Sequence, residues 1–172
     1  MQKLKFPIIT LLVFLGLTAS PSLYAQHYAH APKEFLLSPT YQIRDNPYFD
    51  WVLLQRDHGS AFEQAKIEYL IERIRTSPYL FVRNDEAHNA KEAAEHLSWK
   101  YHKAEKLIRT ARDFITHIAT RSIMSGKLYF IKLKDGHSYP ASEVLDNELN
   151  VLENQLTNQS ANPKDSTAPA LQ

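Results

Sequence analysis

Between Asn89 and Ile108 the residues Ala90, Ala93, Ala94, Leu97, Tyr101, Ala104 and Ile108 recur at intervals of three and four. That spacing lays one narrow stripe along a helix. Four of the seven are alanine, so the element that covers the stripe must approach closely. No other feature of the chain restricts its fold as much. Asn89 as N-cap and Glu92 three residues later supply a starting signal, because each side chain can bond the other residue's backbone N–H.

The neighbours are written in other periodic stretches. Ile67, Leu70, Ile71 and Ile74 form an apolar stripe, opened by the capping box "SAFE" with Ser60 and Glu63. Ser77-Pro78 ends that helix, since the residue before proline leaves the helical region. Tyr79 to Arg83 has strand propensity, and Asn84-Asp85-Glu86 reads as a turn. Thr110 and Asp113 form another capping box ahead of Ala111, Phe114, Ile115, Ile118 and Ala119. Residues 90–120 therefore form either one long helix or two that meet near Arg109-Thr110, and two suit a small domain better. Tyr129, Ile131 and Leu133 alternate ahead of Asp135-Gly136, which predicts a β-hairpin. Pro140 introduces a last helix lined by Leu145, Leu149, Leu152 and Leu156. The sum is a single α+β domain over residues 60–156, with about four helices packed on a small antiparallel sheet or hairpin.

The two ends read differently. Lys3 and Lys5 precede the apolar run Phe6 to Thr18, and "SPSLYAQ" offers a cleavage point after Ala25. This is the pattern of an export signal over residues 1–25. Its apolar run of about 13 residues falls short of the ~20 that span a bilayer, so membrane contact requires the signal to stay uncleaved. Residues 26–59 combine Pro32, Pro39 and Pro47 with Tyr28, Phe35, Tyr41, Tyr48, Phe49 and Trp51. Such an arm is neither a long helix nor plain disorder, and Pro47 to Arg56 suits a short helix. Whether the arm packs on the domain or on a partner stays open at this point. Residues 157–172 are rich in Asn, Gln, Ser, Pro and Ala and are expected to be disordered.

Composition removes several function classes. The chain has no cysteine, which excludes thiol nucleophiles and thiolate metal sites and leaves an exported protein without disulfides. Removing Lys3 and Lys5 from the 20 Lys and Arg leaves 18 against 19 acidic residues, which is not the footprint of a nucleic-acid binder. Three of the four glycines lie beyond the signal, too few for a glycine-rich cofactor loop. "SGKL" lacks the earlier glycine and the Ser or Thr after lysine that a phosphate loop needs, and Gly126 reads instead as a left-handed helix terminus.

The stretches "FVRNDEAHNAKEAAEHL", "TARDFITHIATRSIMSGKLYFI" and "DGHSYPASEVLDNEL" resemble a family of small exported bacterial proteins, the domain-of-unknown-function family 5329. The matching positions are Arg83, Asn84, Glu92, Ala93, Ala94, His96, Leu97, Lys100, Asp113, Phe114, Ile115, Ser122, Ser125, Gly126, Tyr129 and Pro140. They cover roughly residues 64–156. This chain departs from the pattern at His88, where the family often has an aromatic, and at Asp85, where it often has glycine. Some members carry one cysteine near the position of Tyr79 and another near that of Leu133. Their pairing would make the two strands neighbours, with an apolar Tyr79–Leu133 contact in this chain. The resemblance implies a compartment and a fold outline, and no activity.

Two functional readings follow. In "EAAEH", Glu92 stands where an inverted zincin motif needs histidine, so that motif is incomplete. Glu92 and His96 still lie one helical turn apart and are expected to pair. A metal-dependent or acid–base hydrolase using His96 and Glu92 is one reading. The reading preferred here is a non-catalytic binding or interaction module, with catalytic residues unassigned and no metal or cofactor. Its candidate surface is Arg83, Asn84, His96, Lys100, Ser122, Ser125 and Tyr129. These polar residues belong to the family pattern without being needed for an apolar stripe. The expected setting is periplasmic or secreted, and the expected partner is a protein or small molecule of the cell envelope, not nucleic acid.

Overall fold

A computed structural model describes residues 29–161. The expected signal and the residues from 162 onward lie outside the described residues. The elements are α1 (Pro47–Leu54), α2 (Ser60–Arg75), β1 (Leu80–Arg83), β2 (Glu86–His88), α3 (Ala90–Ala104), α4 (Ala111–Asp113), β3 (Phe130–Lys132), β4 (Ser138–Pro140) and α5 (Ala141–Ala161). Helix α4 continues directly into a π-helical stretch, Phe114–Ala119. The four strands form one antiparallel sheet in the order β2-β1-β3-β4. The α+β class stands, with five α-helices among the described residues. None of them is long and apolar enough to cross a membrane.

Local chemistry explains most of the boundaries. The Asn89 side chain accepts from Glu92 N at 2.9 Å, and the Glu92 carboxylate accepts from Asn89 N at 3.3 Å. Thr110 and Asp113 form the same reciprocal pair at α4. Residues 90–120 are therefore two helices, broken between Ala104 and Ala111. Asn46 caps α1 through Tyr48 N, with Pro47 at the first helical position. The box expected at Ser60 is absent: Gly59, at φ 55°, precedes α2 and gives no side-chain cap. Glu63 instead accepts from Ala111 N at 2.9 Å and pairs with Lys66 at 2.6 Å. A tertiary partner thus takes the carboxylate that a local box would have used.

Strand β2 was not anticipated. Asn84 and Asp85 both have positive φ, 52° and 70°, as a two-residue hairpin turn requires, and they fold Glu86–His88 back on β1. The family's glycine at position 85 suits the same left-handed backbone. On the other edge β1 pairs with β3 in the register Leu80↔Lys132. Continued by one residue, that register sets Tyr79 opposite Leu133, and both pack against the core. The strands are neighbours, as the resemblance implied.

The core is one cluster. It joins Ile67, Leu70 and Ile74 of α2, Ala94, Leu97 and Tyr101 of α3, Phe114, Ile115 and Ile118, and Leu145, Leu149 and Leu152 of α5. Each fully buried Leu or Ile contributes roughly 1.5–3 kcal/mol over an exposed one. The arm packs into the same cluster through Leu37, Ile43, Phe49 and Val52, which answers the question its composition left open. Polar contacts hold it there. Asn147 donates to Pro32 O and Phe35 O at 2.8 and 3.1 Å. Glu143 accepts from Ala31 N at 2.7 Å. Beneath the arm, Arg73 (2% exposed) binds Glu148 (0% exposed) through Nε and Nη2 at 2.9 and 3.1 Å. Arg73 also donates to Ser38 O at 2.9 Å, and Glu148 accepts from Leu37 N at 2.6 Å. This circuit locks α2, α5 and the arm together. Helix α5 runs on through Thr157 to Ala161, into the segment expected to be disordered.

Candidate functional site

The pleat of the sheet decides which side chains face α3. Residues opposite one another in an antiparallel pair share a face, and alternate residues repeat it. Phe81 is opposite Ile131 on one side and His88 on the other. Two residues along, the same register sets Arg83 opposite Tyr129. Arg83, Phe81, His88, Tyr129 and Ile131 therefore lie on one face, and helix α3 lies across it. Between them is a cavity of about 250 Å³. Its wall is mostly apolar: Ile74, Phe81, Leu97 and Leu145, with Ala93, Ala119 and Ala141 contributed by three different helical segments. Arg83, His88, Glu92, His96 and Tyr129 add the polar groups.

The alanine stripe has two uses. Ala94 is fully buried in the core, and α3 lies along α2 as close packing requires. Ala93, on the adjoining edge, leaves the room that becomes the cavity.

His96 occupies the border expected of it, but its partner is not Glu92. The Glu92 carboxylate is turned to the helix start, where it accepts from Asn89 N at 3.3 Å and lies 3.6 Å from His88 Nδ1. The His96 ring instead lies 6.1 Å from Trp99 and 6.4 Å from Tyr129 between centroids. Its Nε2 is buried without a hydrogen-bond partner among the described residues, and so is His88 Nε2. Burial, then the positive charges of Arg83 and Lys100 and the neighbouring His88, lower the His96 pKa to about 4. At neutral pH the ring is uncharged and offers one N–H donor and one acceptor.

Lys100 stands one turn further along α3. Its ammonium donates to Ile118 O, to Arg121 O at 3.1 Å and to Tyr129 Oη at 3.4 Å. It thereby satisfies carbonyls at the end of the π-helical stretch, where a cation is favoured. It also lies 4.9 Å from the centre of the Tyr129 ring. Burial and then Arg83 pull the Lys100 pKa down to about 8.

The seven candidate residues thus divide. Arg83, His96 and Tyr129 line the cavity, and Lys100 supports Tyr129 from behind. Asn84 and Ser125 meet elsewhere, where Ser125 Oγ donates to Asn84 Oδ1 at 2.6 Å beside the Lys127–Asp85 ion pair. Ser122 lies in a single turn, where its Oγ accepts from Ser125 N at 3.3 Å and its carbonyl from Gly126 N at 2.9 Å. Gly126 is left-handed as expected, at φ 70°, but it ends that turn and not a long helix. His88 belongs to the cavity and was missed. The alternation of β2 against Phe81 was the signal for it, and β2 itself went unread. Among the described residues, no three His, Asp or Glu side chains converge as a metal site.

Residues 61–153, more than half of the chain, match the family of unknown function DUF5329. The chain is also similar to the uncharacterized protein YfeK of Salmonella typhimurium strain LT2, 38% identical over 71 residues. That match covers 41% of this chain and 59% of YfeK, so the chain spans somewhat over half of the relative's length. No solved structure matches it. The matched segment runs from the first turn of α2 into α5 and contains the sheet, α3 and the cavity between them: the chain belongs to the family of unknown function DUF5329.

Proposed function

We propose that this chain is a non-catalytic binding module of the cell envelope whose site is the cavity between α3 and the sheet. One observation carries the reading. The cavity is mostly apolar in its walls, yet the buried Nε2 atoms of His88 and His96 on its lining have no partner among the described residues. A buried polar atom left unsatisfied costs roughly 1–3 kcal/mol, and folded proteins leave few of them. An apolar pocket with a small number of placed polar groups is the usual form of a small-molecule site. The non-catalytic part rests on Glu92. Its carboxylate turns back to the helix cap at Asn89 N, away from the pairing with His96 on which a hydrolase reading relies. The envelope setting rests on Lys3, Lys5, the apolar run Phe6 to Thr18 and the cleavage point after Ala25.

The test is a titration of the isotope-labelled full chain with neutral, anionic and cationic organic compounds of roughly ten heavy atoms, followed by backbone amide shifts. The expected result is saturable shifts at Val82, Arg83, Ala93 and Leu97 for at least one compound. A panel that moves none of these amides overturns the reading. Stoichiometric, tightly held zinc in protein purified without a histidine tag overturns its non-catalytic part. N-terminal sequencing of the cellular protein should begin at Gln26, and retention of Met1 contradicts cleavage.

A further inference from the structure

We infer that the cavity takes an amphipathic anion, a short apolar chain or ring ending in one carboxylate that Arg83 binds. The inference rests on the cavity being a binding site, and it adds the ligand's chemical class.

Arg83 is the first ground. It is half-buried at the end of β1, and no hydrogen bond or ion pair to its guanidinium occurs among the described residues. The other half-buried or buried arginines are engaged: Arg73 by Glu148, Arg75 by Glu72 and Arg56 by Leu156 O. Carboxylates are near without serving it. Glu86 is its register partner across the hairpin and makes no ion pair with it. Glu92 accepts from Asn89 N in the helix cap and makes no ion pair with Arg83. A guanidinium presents donors in a planar fork that fits a carboxylate with two parallel bonds.

The surroundings point the same way. Apart from the Glu92 carboxylate, which turns back to the helix cap, the polar groups on the lining are donors or cations. Lys100 donates to Tyr129 Oη, which leaves the phenol's own proton free to donate onward. His96 is neutral and can turn an N–H toward an acceptor. Arg83, Tyr129 and His96 together supply donors to the cavity. The rest of the lining is mostly apolar, with Ile74, Leu97, Leu145 and the alanines, and suits an apolar group. Size completes the description. A cavity of ~150 Å³ holds benzene, so one of about 250 Å³ holds roughly ten heavy atoms. Octanoate has that size and both kinds of end.

Calorimetric titration of the full chain with four probes tests this: octanoate, 1-octanol, octylamine and acetate, all below micellar concentrations. Octanoate should bind about tenfold or more tighter than 1-octanol, the range expected for bonds to a charged group. Octylamine and acetate should give no saturable heat. Arg83→Gln should weaken octanoate by about tenfold or more and leave 1-octanol unchanged. Arg83→Lys, which keeps the charge without the fork, should lie between, and it serves if the glutamine variant does not fold. Ala93→Phe, which fills the cavity, should abolish both ligands. If 1-octanol or octylamine equals octanoate, or if Arg83→Gln and Arg83→Lys leave octanoate binding intact, the ligand class is wrong while the binding site stands. If none of the four binds, the inference is overturned, and the wider panel of the preceding section decides separately whether the cavity is a site.

Discussion

Arg73 and Arg83 are ten residues apart in sequence and both point into the fold, yet their surroundings are opposites. Arg73 is nearly inaccessible, and its donors are taken by Glu148 and by Ser38 O. Glu148 in turn holds Leu37 N. Every member of that circuit has a partner within the chain, and the circuit closes the arm onto α2 and α5. Arg83 lines the cavity, and among the described residues its guanidinium has no acceptor. A buried charge that is fully partnered serves the fold. One that keeps its donors beside an apolar cavity points to something outside the fold.

Breaking the first circuit should produce the largest effect. Glu148→Gln leaves Arg73 buried without its counter-charge and should destabilise the chain by about 3–5 kcal/mol in urea unfolding. The Leu37 amide should lose its hydrogen-exchange protection in the same variant. Replacing both partners, Arg73→Met with Glu148→Leu, should cost clearly less than either single change, because no orphan charge remains. Equal losses in the single and double variants would mean that the pair matters only as packing.

On the cavity side the main lever is pH. The folded state holds the His96 pKa near 4, below its ordinary value of 6.5. Above 6.5 the ring is neutral in both folded and unfolded chains, so its contribution to stability is complete. As pH falls from 6.5 toward 4 the unfolded state takes up a proton that the folded state refuses, and stability drops. Comparison of the wild type with His96→Phe in chemical unfolding between pH 7 and 4 isolates this contribution, and the variant should show the flatter profile. Parallel profiles would show that His96 is solvated. A smaller change is expected at the helix start. Asn89→Ala removes the cap of α3 and should cost about 1 kcal/mol. The smallest is Lys127→Ala, whose exposed pair with Asp85 should contribute under about 1 kcal/mol.

What the sequence discloses follows the range of the forces involved. The capping boxes at Asn89 and Thr110 are complete within four residues, and both form. "SAFE" has the same form and fails, because Ala111 N competes for Glu63 from another helix. Strand β2 is three residues, Glu86-Ala87-His88, without a β-branched side chain, so only its pairing with β1 defines it. The Arg73–Glu148 pair spans 75 positions, and no local pattern separates Arg73 from a solvated helix residue. The site was half legible. His96 stood out at the edge of the alanine stripe, but its expected pairing with Glu92 conflicts with the capping box read from the same residues. The box turns Glu92 back toward Asn89, and one carboxylate cannot serve both ends of the turn. Arg83 entered through the family resemblance, and its lack of a partner is visible only in three dimensions.

The contrast between the two arginines is best tested by the unfolding free energies of Arg83→Gln and Arg73→Gln, measured side by side in urea. Arg73→Gln should lose about 3–5 kcal/mol, since it strands Glu148. Arg83→Gln should stay within about 0.5 kcal/mol of the wild type, since its guanidinium has no partner among the described residues. A loss at Arg83 as large as that at Arg73 would show that its guanidinium holds the fold together and would contradict its assignment to a ligand.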